Sequence, residues 1–421
     1  MRQTLFRWSV LGIVLLGVCS TALLLWLQPR LTAAADDNDT AAFLARHWRV
    51  PIAPQGTPPT AYSPLEASLH PKDCGVCHPQ QYQDWQTSLH SKSMGPGIYG
   101  QLVDMESDPA TYTICATCHT PLQEQIPFTA EGNTYRPNAA FDQQLQHAGL
   151  VCAGCHVRQH QRFGPPRRPD APVAPEGTSL PHGGFTVSTA FQQSAFCQSC
   201  HQFGPNDFAL NGKLLENTYE EWRQSSYAQA GTQCQDCHMP DRRHLWRGIH
   251  DPDMVKQAMT ITIQPNATAY QPGDQLQAVI TVANTGAGHY LPTYVTPKIF
   301  VHAHLRDAQG EAINGTAQRA IIGRDITLNL SQELYDTRIP PNGSRAFTYA
   351  QVVPKAAASL HVRVVVHPDH FYRNFYEAVL RDGSDRRGKA LLEQALQHAT
   401  ASPFPVFEQT IPLTDTAGER P

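Results

Sequence analysis

Apolar and polar positions divide the chain into four stretches. Met1–Arg7 is short and basic, and Trp8–Leu27 then runs without a charged residue up to Arg30. That run is long enough to cross a bilayer core and exceeds the apolar segment of about 7–15 residues usual in a cleaved signal peptide. Residues 1–30 therefore predict a single-pass anchor with its N-terminus inside. Ala33-Ala-Ala35 keeps a cleavage site as the alternative, and Cys19, preceded by Val18, reads as a buried membrane thiol rather than a lipid-attachment site. Residues 31–64 are rich in Ala, Asp, Thr and Pro and predict a tether, stiffened by its prolines. In the third stretch, 65–258, helical periodicity is brief. Tyr82, Trp85 and Leu89 predict a helix over Pro79–Met94 with proline in its first turn. Thr218-x-x-Glu221 predicts a capping box opening a helix over Thr218–Tyr227.

From Met259 the period changes to two. Strands are predicted at Thr260–Gln264, Leu276–Val282, Lys298–Leu305, Ala346–Val353 and Leu360–Val366, with turn signals such as Gln271-Pro-Gly-Asp274 between them. One helix over Asp385–Thr400 and a closing strand over Phe404–Leu413 complete the pattern. The expected class is α+β and multidomain: a transmembrane helix, a mainly helical and loop domain over 65–258, and an antiparallel β-sandwich of immunoglobulin-like kind over 259–421.

Composition sharpens the middle stretch. The 421 residues include 34 prolines and only 16% charged residues, which favours loop over long surface helices. Lys plus Arg number 32 against 36 Asp plus Glu, so nothing favours a nucleic-acid partner. Ten of the eleven cysteines fall into five Cys-x-x-Cys-His motifs: Cys74–Cys77–His78, Cys115–Cys118–His119, Cys152–Cys155–His156, Cys197–Cys200–His201 and Cys234–Cys237–His238. In such a motif the two thiols attach a haem covalently and the next residue presents its imidazole to the iron. A disulfide across x-x would be strained, and a zinc ribbon needs no histidine after every pair. The expectation is five covalent c-type haems. Attachment of c-type haem takes place outside the bacterial cytoplasm, which agrees with a membrane-crossing N-terminus.

Further residues extend the pattern. Gln81–His90 follows the first motif, Gly149-Leu-Val leads into the third, Glu220-Glu-Trp-Arg-Gln-Ser225 precedes the fifth, and Cys237-His-Met-Pro240 is followed by His244-x-Trp246. Together they resemble multihaem cytochromes of the c-552/c-554 type over most of 70–255. The resemblance implies closely packed haems, often with two axial histidines each, and in some relatives one open haem. Hydroxylamine oxidoreductase and pentahaem nitrite reductase are similar at greater distance. The latter carry a lysine in one motif, whereas all five motifs here end in histidine, which weighs against nitrite reduction. Asn284–Thr293 resembles the Gly-His-x-x-Pro-Thr loop of β-domains fused to such cytochromes, whose histidine reaches back to a haem. The glycines before His289 would let the backbone approach a flat ligand.

Fifteen histidines remain for the distal positions. His90, His182, His244 and His289 are the candidates carried by local motifs, with His250 the rival of His244 and His160 and His147 behind. Met94, Met254 and Met259 are weaker alternatives, and Met239 adjoins a proximal histidine too closely to reach the opposite face. His302 and His304 share a strand face without a third metal ligand; His361, His367 and His370 read as structural. No partner is evident for the haem at His119. Trp85-x-x-Ser88-x-His90 and Trp222-x-x-Ser225-x-Tyr227 form a weak internal repeat in which Tyr227 replaces the histidine. The function expected is single-electron transfer along a haem chain facing the periplasm, with membrane-embedded or periplasmic redox partners. The alternative is an oxidoreductase acting on a small nitrogen or sulfur oxide at an open haem, with Tyr227, His147 or His160 donating protons.

Overall fold

The computed structural model describes residues 39–414 apart from 173, 176 and 383–385. The predicted anchor and cleavage site lie outside the described residues. Among the described residues no helix is long and apolar enough to cross a membrane.

Residues 39–62, expected as tether, are stitched onto the motif-bearing region. Residues 39–47 are helical. His47 Nε2 donates to the Cys155 carbonyl at 2.8 Å, and the Arg158 guanidinium donates to the His47 carbonyl at 2.7 Å. Ile52 is buried and exchanges backbone hydrogen bonds with Pro121 and Gln123. Composition misled here because polar residues can satisfy a neighbouring domain's backbone as well as solvent.

The motif-bearing domain is built from short helices. Helix α1 (Pro79–Thr87) ends earlier than its periodicity predicted, because Ser88 turns to extended backbone and its hydroxyl bonds back to the Trp85 carbonyl. Helices α2 (Pro96–Leu102) and α3 (Pro109–His119) follow, each with proline in the first turn. Helix α4 (Thr218–Arg223) is also shorter than expected, since Ser225 caps a separate turn over Ser226–Gln229. The predicted capping box is absent. The Thr218 hydroxyl bonds to Thr293, and Glu221 turns to the C-terminal domain.

That domain is a two-sheet sandwich. Strands β1 (Met259–Pro265), β2 (Gln275–Asn284), β3 (Lys298–Arg306), β4 (Gln318–Ile322), β5 (Ser344–Val352), β6 (Ser359–His367) and β7 (Phe404–Pro412) pair antiparallel throughout. The orders are β5-β2-β1 and β4-β3-β6-β7. Leu276, Ala278, Ile280 and Val282 from β2 meet Ile299, Val301, Leu305, Val362 and Val364 from the other sheet in one core. The alternation predicted along these strands is what places them there.

Two helices interrupt the sandwich before β7: α5 (His370–Arg381), which the sequence reading missed, and α6 (Lys389–Ala401). They leave the β-domain and dock on α2. Leu391 and Leu392 pack over Gly100, a Cβ on Gly388 would run into the Gly100 backbone, and the Tyr376 hydroxyl sits on Gly97. Only glycine permits these approaches.

Candidate haem-binding sites

Each Cys-x-x-Cys-His motif closes a helical turn that ends at its histidine or one residue before it. A turn puts both thiols and the following imidazole on one side of the backbone. Nitrogen usage then separates ligand candidates from structural histidines. His119 Nδ1 donates to Ser93 O at 2.7 Å, His156 Nδ1 to Phe163 O at 2.8 Å, and His238 Nδ1 to Arg247 O at 2.6 Å. His182 Nδ1 donates to Gly184 O at 2.8 Å, His244 Nδ1 to Arg242 O at 3.0 Å, and His289 Nδ1 to Tyr290 O at 2.9 Å. A carbonyl can only accept, so Nδ1 carries the proton and Nε2 keeps its lone pair, the arrangement of metal-bound imidazoles. His160 and His250 commit the other nitrogen, to Gly56 O and to Asp369. This separates His244 from its rival His250.

Ring spacing gives a second criterion. With a metal–nitrogen bond of about 2.0–2.1 Å and a nitrogen-to-centroid distance of about 1.1 Å, two imidazoles sharing one metal have centroids about 6.3 Å apart. His90 and His201 are 6.4 Å apart, His156 and His244 6.2 Å, and His238 and His289 6.3 Å. Each pair joins a motif histidine to a remote one, which fits one haem iron held between them. Burial, followed by neighbouring charge, lowers the His90 pKa to about 3, and burial lowers those of His156 and His289 to about 4, so these rings are neutral and able to ligate. Burial and then the nearby His182 lower the His78 pKa as well. Tyr62 Oη donates to the His182 carbonyl at 2.7 Å, and Glu66 accepts from its backbone N–H at 2.7 Å. His182 has a φ of +43°, with Gly183 and Gly184 also positive, a turn that needs those glycines. His119 differs. Burial lowers its pKa, with no second imidazole contributing, and no imidazole among the described residues pairs with its ring.

Thiol contacts relate the motifs to one another. Cys74 is a neighbour of Cys152, Cys118 of Cys200, and Cys197 of Cys234. The first motif thus adjoins the third, the second the fourth, and the fourth the fifth. The internal repeat has a structural counterpart: Trp85 Nε1 donates to Leu150 O at 2.8 Å and Trp222 Nε1 to Thr232 O at 2.9 Å, each acceptor two residues before a motif cysteine.

Residues 73–157 match the family model described as cytochrome c554 and c-prime. That segment carries the first three motifs and His90. Among solved structures, the chain is similar to a penta-heme cytochrome c552 from Thermochromatium tepidum. The identity is 17% and the TM-score 0.58, covering 83% of this chain and 100% of that one, a likeness of fold. An alkylpurine DNA glycosylase from Pseudomonas fluorescens (10% identity, TM-score 0.17, 28% of this chain and 30% of that one) and a sporulation control protein from Bacillus subtilis (13%, 0.12, 26% and 42%) align too weakly to carry an argument. No curated protein matches the chain.

The motif-bearing domain is clamped to the sandwich by residues that sequence reasoning did not single out for that role. Glu221, 6% exposed, accepts from Tyr290 N at 3.1 Å, Thr293 Oγ1 at 2.8 Å and Arg338 Nη1 at 2.9 Å. It fixes the loop carrying His289. The glycines of that loop allow close packing against protein: a Cβ on Gly288 would press on Tyr227 at 3.2 Å, and one on Gly286 would overlap Gln257. Tyr227 itself donates to Thr285 O at 3.0 Å, so it braces the loop. Asp84 accepts from Arg243 Nε at 2.7 Å, Arg243 Nη2 at 2.6 Å and His244 N at 3.0 Å, and so positions His244.

Proposed function

We propose that this cytochrome carries five covalent c-type haems and transfers single electrons outside the cytoplasmic membrane, held there by its N-terminal segment. The haems supply one-electron iron chemistry when bound. The chain supplies ten thiols, five motif histidines and four distal ones: His182 for His78, His244 for His156, His90 for His201 and His289 for His238. The observation that carries the reading is the set of three remote imidazole pairs at a metal-sharing spacing. An iron held by histidine on both faces keeps its ligands when its charge changes, so little reorganisation opposes transfer. Neighbouring thiols join the first motif to the third and the second to the fourth and fifth, and Cys155 of the third motif interacts electrostatically with Cys197 and Cys200 of the fourth, which supports one connected array. The partners inferred are membrane-embedded or periplasmic redox proteins, and the sandwich, taken as immunoglobulin-like, caps the array and supplies His289. A spectropotentiometric titration tests this. Uptake of five electrons per chain is expected, with low-spin spectra from the four haems given two histidines; uptake of fewer would sink the five-haem reading.

One observation favours a second reading. Among the described residues the His119 ring has no imidazole partner, so its haem would have an open sixth position, suited to a small nitrogen or sulfur oxide. Turnover of nitrite, hydroxylamine or sulfur oxyanions by the reduced protein would establish catalysis there; inertness towards all of them would leave electron transfer alone.

A further inference from the structure

Arg158 lies two residues after His156, just beyond the turn that forms the third motif. The last carbonyls of a helical turn lack donors from within it. Arg158 supplies them: Nη1 donates to Val157 O at 2.6 Å, to Gly154 O at 3.0 Å and to Ala153 O at 3.5 Å. Nε donates to His47 O at 2.7 Å, and His47 Nε2 in turn donates to Cys155 O at 2.8 Å. The guanidinium is therefore locked against the backbone of the turn whose histidine, paired with His244, would hold the third iron.

This charge has no counter-charge. Every acceptor it uses is a neutral carbonyl, and among the described residues no carboxylate pairs with it. Nη2 is buried with no partner at all. The Arg158 Cζ instead sits 5.4 Å from the centroid of the Trp48 ring, whose own Nε1 is also buried and unpartnered. The surroundings are aromatic rather than aqueous. The His47 ring lies 5.4 Å from that of Phe163 and 5.7 Å from that of Phe191, and Phe191 stacks on His156 at 5.2 Å. His47 is itself neutral, since burial and then Arg158 lower its pKa to about 3. On the His244 side, Asp84 and Arg243 are joined by hydrogen bonds at 2.6 and 2.7 Å, and their charges cancel. One uncompensated cation is left, in an interior that screens it poorly.

We propose that Arg158 sets the reduction potential of the haem carried by His156, raising it through space. Reduction lowers the charge of the iron by one, so a fixed positive charge nearby favours the ferrous form. Arg158 acts as a neighbour of the ligand, not as a ligand. The inference rests on the five-haem reading above and adds to it a residue that makes one haem unlike the rest. A unit charge acting across such an interior is worth about tenfold in the ratio of ferrous to ferric iron, or about 59 mV for one electron.

The test is a spectropotentiometric titration of the full haem-loaded protein, with intact mass and Soret spectra verifying assembly. Arg158→Gln removes the charge, and Arg158→Lys keeps it while losing the planar fork. Arg158→Gln is expected to lower one midpoint of the five by about 59 mV, and Arg158→Lys to stay close to wild type. Trp48→Glu leaves the guanidinium in place and sets a carboxylate against it. It is expected to lower the same midpoint, and it is read alone if Arg158→Gln does not retain five haems. Five midpoints unchanged in Arg158→Gln, or in Trp48→Glu where that is read alone, overturn the assignment; a haem propionate would then already neutralise the guanidinium, and the five-haem reading would stand. An equal fall in the Gln and Lys variants also overturns it, because the lost hydrogen bonds to the turn rather than the charge would then be responsible. Uptake of fewer than five electrons by the wild type removes the five-haem reading and this inference with it.

Discussion

Replacing Glu221 with alanine should release His289 from the haem at His238, although Glu221 touches neither. Its carboxylate is the shared acceptor for Arg338, for the Thr293 hydroxyl and for the Tyr290 backbone N–H next to His289. Removing one partner of a buried ion pair costs about 3–5 kcal/mol when the other is left alone. Arg338 is not left alone, because Asp336 still accepts from its Nε at 2.9 Å and its Nη2 at 3.0 Å. The cost should therefore fall to about 2–4 kcal/mol, close to that of losing hydrogen bonds to a charged group. A change of that size shifts the ratio of closed to open loop by about 30- to 1000-fold. The expected signature is a high-spin ferric band from one further haem, together with lower resistance to urea. Glu221→Gln keeps one acceptor oxygen for the loop and should show a smaller effect. An alanine variant with the wild-type spin state and wild-type urea midpoint would refute the view that this carboxylate holds the ligand loop.

Asp84→Asn should loosen His244 from the haem at His156, at a cost of about 1–2 kcal/mol, moderated because the Arg243 side chain is 43% exposed; a high-spin signal and a lower urea midpoint would register it. The Arg243 pairing also holds the Asp84 carboxyl below its ordinary range. An unfolded aspartate titrates near about 3.9, so this contribution is complete above that pH and is lost as pH falls through the lower folded value. The wild-type midpoint should therefore fall more steeply than that of Asp84→Asn below about pH 4, and parallel curves would contradict the assignment. Intact mass under denaturing conditions should show five retained haems, with none of the ten motif cysteines open to alkylation; any modified motif cysteine would mean an unattached site.

The sequence revealed more of the attachment chemistry than of the ligand pairing. The motifs are local, and a local turn presents thiols and imidazole together. The histidines proposed as distal ligands come from far along the chain: the His90 ring lies near that of His201, and the His289 ring near that of His238 from another domain. His90, His182, His244 and His289 were legible as candidates because their flanking residues are distinctive, but only the fold shows which motif ring His90, His244 and His289 lie beside. Period-two alternation located six of the seven sandwich strands, since one face of each is buried. It did not reveal β4, whose burial alternates poorly. Helix α5 was missed although Phe371, Phe375 and Val379 recur at helical spacing; flanking histidines and the preceding strand obscured its start. Helices α1 and α4 were drawn too long because serines at 88 and 225 bond locally to backbone and end the helical turns. Glu221 illustrates the general difficulty. Its position fits a capping box, but three donors from the other domain outcompete the local N–H.

Titration of the fully reduced protein with carbon monoxide tests the central claim most directly, because it counts irons with an accessible sixth position. Four haems closed by paired histidines and one left open at His119 predict one carbon monoxide per chain against five haems. No binding would mean that the His119 haem is closed by a ligand not identified here, and two or more would mean that at least one of the histidine pairs does not hold its iron.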